Sequence, residues 1–128
     1  KANSINTDLK VLGVTILTSL NNKSLKEIGH TKSVEQLVLK QAGLIKKSGC
    51  DGIVCSAQEA KMVRKKYKNL FIVTPGIRLP GDSANDQSRV MTPYDAFKNK
   101  VSGIVMGRSL IKGNIKNNTQ RLIDHLNK

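Results

Sequence analysis

Chemistry in this chain gathers at two short motifs, Val73-Thr74-Pro75-Gly76-Ile77-Arg78 and Met106-Gly107-Arg108, with Asp86-Gln87 between them. In each, an apolar, strand-like run ends in a Gly with an Arg beside it or just after it. Glycine lets a ligand approach the backbone closely. A guanidinium presents a planar fork that matches phosphate or carboxylate oxygens. Gly107-Arg108-Ser109-Leu110 also reads as a strand end opening into a short helix, where backbone N–H groups and the helix dipole face an anion. Gln87 adds an amide donor. A phosphate is the ligand these residue types suit.

Other polar positions carry less. Thr18 or Ser19, after the run Leu9 to Thr18, could hydrogen-bond a planar ligand, but the residues alone favour a turn before the Ser24 to Ile28 segment. Ser56 and Glu59 form a capping-box pattern, which accounts for both without a ligand. His30 and His125 have no catalytic companion, and no Ser/His/Asp, Cys/His, carboxylate or metal-ligand cluster is visible in the spacing. Cys50 and Cys55 lack the second pair a zinc site needs, and Cys55 reads as a buried thiol. The residues hold a ligand and show no chemical machinery, metal or cofactor.

The elements that must position these motifs are legible from periodicity. Near-continuous apolar runs at about 9–18, 52–55, 70–74 and 103–106 suit strands covered on both faces, as in parallel sheets. Between them lie helix patterns with start signals: Ser33 with Gln36, Ser56 with Glu59, and Thr92 followed by Pro93. A last pattern, Ile115 to Leu126, sets Ile115, Thr119, Leu122, Ile123 and Leu126 on one helical face. The order β-α-β-α-β-α-β-α predicts an α/β fold, with two architectures in competition. One is a small doubly wound sheet. The other is part of a (β/α)₈ barrel, which needs about 250 residues. Thr74 to Arg78 with the polar segment Leu79 to Arg89 makes a loop of about fifteen residues, long for a βα connection and suited to a lid or binding loop.

Composition excludes several classes. The net charge of +13 invites a nucleic-acid reading, yet only five of the 22 basic residues are Arg and the Lys are scattered. Tyr67, Phe71, Tyr94 and Phe97 are the only aromatics, too few for a base-stacking groove. No apolar stretch approaches the roughly 20 residues of a membrane span. Free thiols without a secretory signal point to the cytoplasm.

Taken together in order and spacing, five segments resemble the bacterial type of the orotidine 5′-phosphate decarboxylase family. They are Leu12-Gly13-Val14-Thr15-Ile16-Leu17-Thr18-Ser19, the run from Asp51 to Ala60, Val73 to Arg78, Asp86 to Pro93, and Gly107-Arg108. The resemblance implies a dimeric (β/α)₈ TIM barrel that converts orotidine monophosphate to UMP and CO₂ without a cofactor. It makes residues 1–128 the C-terminal half of one such barrel domain, carrying its last four β/α units. It assigns substrate binding to Thr18, Arg78, Gln87, Gly107 and Arg108, with both Arg and Gln87 directed at the phosphate, and so moves Thr18 from turn to site. The family's catalytic Asp-x-Lys-x-x-Asp motif is absent from this sequence, which leaves no catalytic residue here. Two other readings compete: a phosphate-binding barrel of the sugar-phosphate aldolase or synthase type, and a basic module that binds polyanions.

Overall fold

A computed structural model describes residues 8–128. Four strands, β1 (Leu12–Val14), β2 (Gly52–Val54), β3 (Phe71–Thr74) and β4 (Gly103–Ile104), pair in the order β1-β2-β3-β4, all parallel. The helices are α1 (Asn22–Glu27), α2 (Val34–Lys47), α3 (Ala57–Lys66), α4 (Pro93–Lys98), α5 (Arg108–Ile111) and α6 (Ile115–Leu126).

Local chemistry sets most of the helix starts. The Ser33 hydroxyl accepts from Gln36 N at 3.3 Å while the Gln36 side chain accepts from Ser33 N at 3.1 Å, a complete capping box. Thr92 caps α4 ahead of Pro93, as its sequence predicts. Ser56 caps α3 by accepting from Gln58 N at 3.2 Å, but Glu59 does not complete the box. Its carboxylate turns inward instead, and its partner is described below. The turn before α1 is capped by Asn21 rather than by Thr18 or Ser19.

The strand order decides between the two architectures. Doubly wound sheets reverse their strand order at a switch point, whereas this sheet runs sequentially from first strand to last. Parallel crossovers share one hand, so sequential winding puts the helices that connect successive strands on the same side. α2 packs on β2, α3 on β3 and α4 on β4, and α2, α3 and α4 also touch in succession. The core lies in that single seam: Val34, Val38 and Ala42 of α2, Ala57, Ala60 and Val63 of α3, against Ile53, Cys55 and Ile72 of the sheet. Among the described residues nothing covers the other face. Val14, Val105 and Phe71 point from it with 62%, 51% and 47% of their surface in solvent.

The expected strand bounds need correction. The first strand is much shorter than residues 9–18, because the carbonyls of Ile16 and Leu17 accept from the Arg89 guanidinium instead of from a neighbouring strand. The other three strands end one or two residues short at one end or the other, although Thr15, Cys55 and Val105 extend the ladder by single bonds. In α6 the apolar stripe does not face the core. Asn118 is the buried residue, donating to Leu110 O and Lys112 O, while Ile115, Ile123 and Leu126 are exposed.

Candidate phosphate site at the strand ends

Because all four strands are parallel, the segments that follow them leave the same edge of the sheet. Thr18 follows β1, Ser56 follows β2, Gly76 follows β3 and Gly107 follows β4. This is the edge where ligands bind in parallel α/β folds.

The long segment after β3 is an organised loop. An isolated parallel bridge between Ile77 and Met91 closes its base, with Arg78 N donating to Met91 O at 3.0 Å and Met91 N to Gly76 O at 3.2 Å. Leu79-Pro80-Gly81-Asp82 is a turn closed by Asp82 N to Leu79 O at 3.0 Å. Pro at its second position and Gly81, with φ of 85°, at its third mark it as type II. A second turn runs from Ala84 to Gln87, with Asn85 at a φ of 54°. Asn tolerates that left-handed conformation better than most residues, and the turn sets Asp86 and Gln87 at the tip.

Those two side chains link opposite ends of the sheet. The Thr18 hydroxyl donates to Gln87 Oε1. Gln87 Nε2 donates to Asp86 Oδ2 at 3.1 Å, and Arg108 Nη1 meets Asp86 Oδ1 at 2.5 Å. The Arg108 hydrogen bond, and then the Gln87 amide, hold the Asp86 carboxyl below its usual range. Two side chains assigned to phosphate from the sequence therefore converge on one carboxylate. A carboxylate and a phosphate present similar charged oxygens, so this geometry suits an anion.

Arg78 is placed differently. Its side chain is 8% exposed, with Nε donating to Ser83 O at 3.1 Å and Nη1 to Ile77 O at 2.9 Å. It lines a cleft of about 180 Å³ together with Arg108, Lys112 and Arg121, where Asp82 is the one carboxylate among the described residues that line it. Thr18 and Gln87 line a second cleft, of about 240 Å³, with Val14, Val54 and Pro75. One cleft is strongly basic and the other mostly apolar with a polar rim, and the Asp86-Gln87 tip joins them. A Cβ placed on Gly107 would meet nothing within 4 Å, so the strand end beside Arg108 is open.

Sequence reasoning missed three participants. Lys112 and Arg121 line the basic cleft, and Arg121 pairs with Asp82 at 3.0 Å across 39 residues, a distance no local pattern reports. Glu59, assigned to a helix cap, pairs with Arg89 at 2.6 Å, with both side chains almost fully buried. Burial raises the Glu59 carboxyl above its ordinary range, against the downward pull of Arg89. Among the described residues no group of three or more His, Cys, Asp or Glu could hold a metal, and no described helix is long and apolar enough to cross a membrane.

Comparison with known proteins agrees with this architecture. The chain is 48% identical over 101 residues to the orotidine 5′-phosphate decarboxylase of Coxiella burnetii (strain RSA 331 / Henzerling II), covering 78% of this chain and 43% of that protein. The enzyme of the same name from Prochlorococcus marinus (strain AS9601) is 47% identical over 104 residues, again 43% of its length. The crystal structure of orotidine 5′-phosphate decarboxylase from Lactobacillus acidophilus superposes with a TM-score of 0.70 at 31% identity, covering 93% of this chain and 50% of that one. The chain thus spans less than half the length of these curated relatives, and its sheet with one layer of helices is half of a (β/α)₈ barrel. Neither the aldolase-type barrel nor the polyanion module finds support in these matches. With a family model matching residues 1–121, the chain belongs to the orotidine 5′-phosphate decarboxylase / HUMPS family.

Proposed function

We propose that this chain is the phosphate-binding half of an orotidine 5′-phosphate decarboxylase, which converts orotidine monophosphate to UMP and CO₂. The observation that carries the reading is the meeting of Arg108 and Gln87 on the Asp86 carboxylate. The same donors would take the phosphate, with Asp86 giving way to it. Arg78, Lys112 and Arg121 would supply the surrounding positive field, and Thr18 with the apolar second cleft would receive the rest of the nucleotide.

In this mechanism the chain contributes remote binding energy. Holding the phosphate fixes the nucleotide against the barrel interior, and energy gained at the handle is realised at the reacting carbon when the site closes and excludes water. The Asp-x-Lys-x-x-Asp motif of the catalytic half has no counterpart in this sequence. No cofactor is required, the family-length protein is a cytoplasmic homodimer, and the scattered lysines do not form a nucleic-acid surface.

The test uses a family-length protein that contains this chain. Arg108→Ala removes a charge-assisted contact of about 1.5–3 kcal/mol, so kcat/KM for orotidine monophosphate should fall about 10- to 100-fold, mainly through KM. An unchanged kcat/KM would remove the phosphate assignment. The 128-residue chain alone should bind a nucleoside monophosphate at one stoichiometric site and turn over none of the substrate; measurable decarboxylation by it would refute the division of labour.

A further inference from the structure

One buried side chain stands behind the phosphate grip without entering it. The Arg89 guanidinium is spread over four acceptors: Glu59 Oε2 at 2.6 Å, Leu20 O at 2.9 Å, Leu17 O at 2.8 Å and Ile16 O at 3.1 Å. Its backbone is equally engaged. Ser88 N and Arg89 N both donate to Thr18 O at 3.2 Å, and Arg89 O lies only 2.9 Å from where a Cβ on Gly76 would stand. A single residue therefore touches the segments that follow β1, β2 and β3. Gln87 lies two positions before it and holds the Thr18 hydroxyl, while Thr18 offers its carbonyl to Arg89.

A latch needs no charge for strength alone. Replacing a buried ion pair by well-packed apolar groups is often neutral or stabilising. A guanidinium with fixed, planar donors adds direction, because its acceptors can all be met in one orientation only. The tip of a long polar loop would otherwise have to be ordered when the ligand binds, at a cost in conformational entropy.

We propose that the buried Arg89–Glu59 pair is a positioning device for the phosphate grip: it sets Gln87 and Thr18 in place at the strand ends before the ligand arrives, touching no ligand itself. The proposal rests on the phosphate reading above and extends it to two residues outside the binding set. It makes Arg89 and Glu59 act through Gln87, and that dependence can be measured.

The experiment is a double-mutant cycle on kcat/KM for orotidine monophosphate, in a family-length protein that contains this chain. Arg89→Lys keeps the charge and loses the fork, and should lower kcat/KM about tenfold to a hundredfold, the scale of a small misplacement of a binding group. In a Gln87→Ala background the same substitution should cost little more. Equal losses in both backgrounds would overturn the proposal, since a general loosening of the fold does not depend on Gln87. Should Arg89→Lys fail to fold, Glu59→Gln completes the cycle, with the same pattern expected and the same pattern decisive. Arg108→Ala is the control for the underlying reading. If Arg108→Ala and Gln87→Ala both leave kcat/KM unchanged, the phosphate site falls and this proposal with it; if they impair it and the cycle is additive, only the positioning role falls.

Discussion

Glu59 illustrates how one carboxylate can satisfy a local pattern and serve a distant one. Three residues after Ser56 it fits a capping box, yet it is 3% exposed and paired with a guanidinium thirty residues away. The pair is unequal in its dependence. Arg89 keeps three backbone acceptors if Glu59 is lost, whereas Glu59 without Arg89 becomes a buried charge lacking its cation. Arg89→Met should therefore destabilise by about 3–5 kcal/mol, the usual cost of breaking a buried pair, and Glu59→Gln by clearly less. Urea unfolding of the family-length protein measures both, and a larger loss for Glu59→Gln would contradict the asymmetry. The sequence marked Arg78, Gly107 and Arg108 just beyond predicted strand ends and Gln87 in the loop between them, but not the Asp86 carboxylate as the point where Arg108 and Gln87 meet. That meeting joins residues 22 apart through a loop whose path no short-range pattern specifies.

At the scale of elements, the loop over residues 78–90 carries Arg78, Asp86 and Gln87 of the candidate site. Its two turns carry readable signals, Pro80-Gly81 in one and Asn85 in the other, but its closure through Met91 and its attachment to the segment after β1 depend on tertiary contact. Two glycines separate these contributions. Gly81, at a φ of 85°, has open space around it, so Gly81→Ala should cost about 1–2 kcal/mol through the left-handed backbone alone. Gly76, at a φ of 76°, also has the Arg89 carbonyl 2.9 Å from the position of a Cβ. Gly76→Ala should cost more than Gly81→Ala and should also weaken nucleotide binding, because relief of the clash must move Arg89. Thermal melts and nucleotide titrations of the two variants side by side check this; equal effects would mean that the close approach is relaxed cheaply.

Among the described residues, one sheet face is covered and the other open. Val14, Phe71 and Val105 stand on the open face, β1 and β4 are terminal strands, and Ile115, Ile123 and Leu126 form an exposed stripe on α6. In a closed barrel the terminal strands pair and the interior fills with side chains. Alone, the edges and apolar face invite association. The isolated 128-residue chain should self-associate on size-exclusion chromatography with light scattering, despite the repulsion from its +13 charge. A monodisperse monomer with one cooperative melt would show that the half-barrel closes its own core.

By itself the sequence determined what short-range physics encodes: the alternation of strands and helices, the caps at Ser33 and Thr92, the buried thiol of Cys55 at the end of an apolar run, and Gly-Arg motifs at strand ends. Each depends on residues a few positions apart, where periodicity and capping hydrogen bonds act. The tertiary structure alone decided the sequential winding that leaves one sheet face bare, the outward stripe on α6, the short β1, and the pairs Glu59–Arg89, Asp86–Arg108 and Asp82–Arg121. Those pairs join residues 22 to 39 positions apart. Which oppositely charged residues meet over such spans is set by how the strands bring their ends together, and a charge carries no local mark of its distant partner.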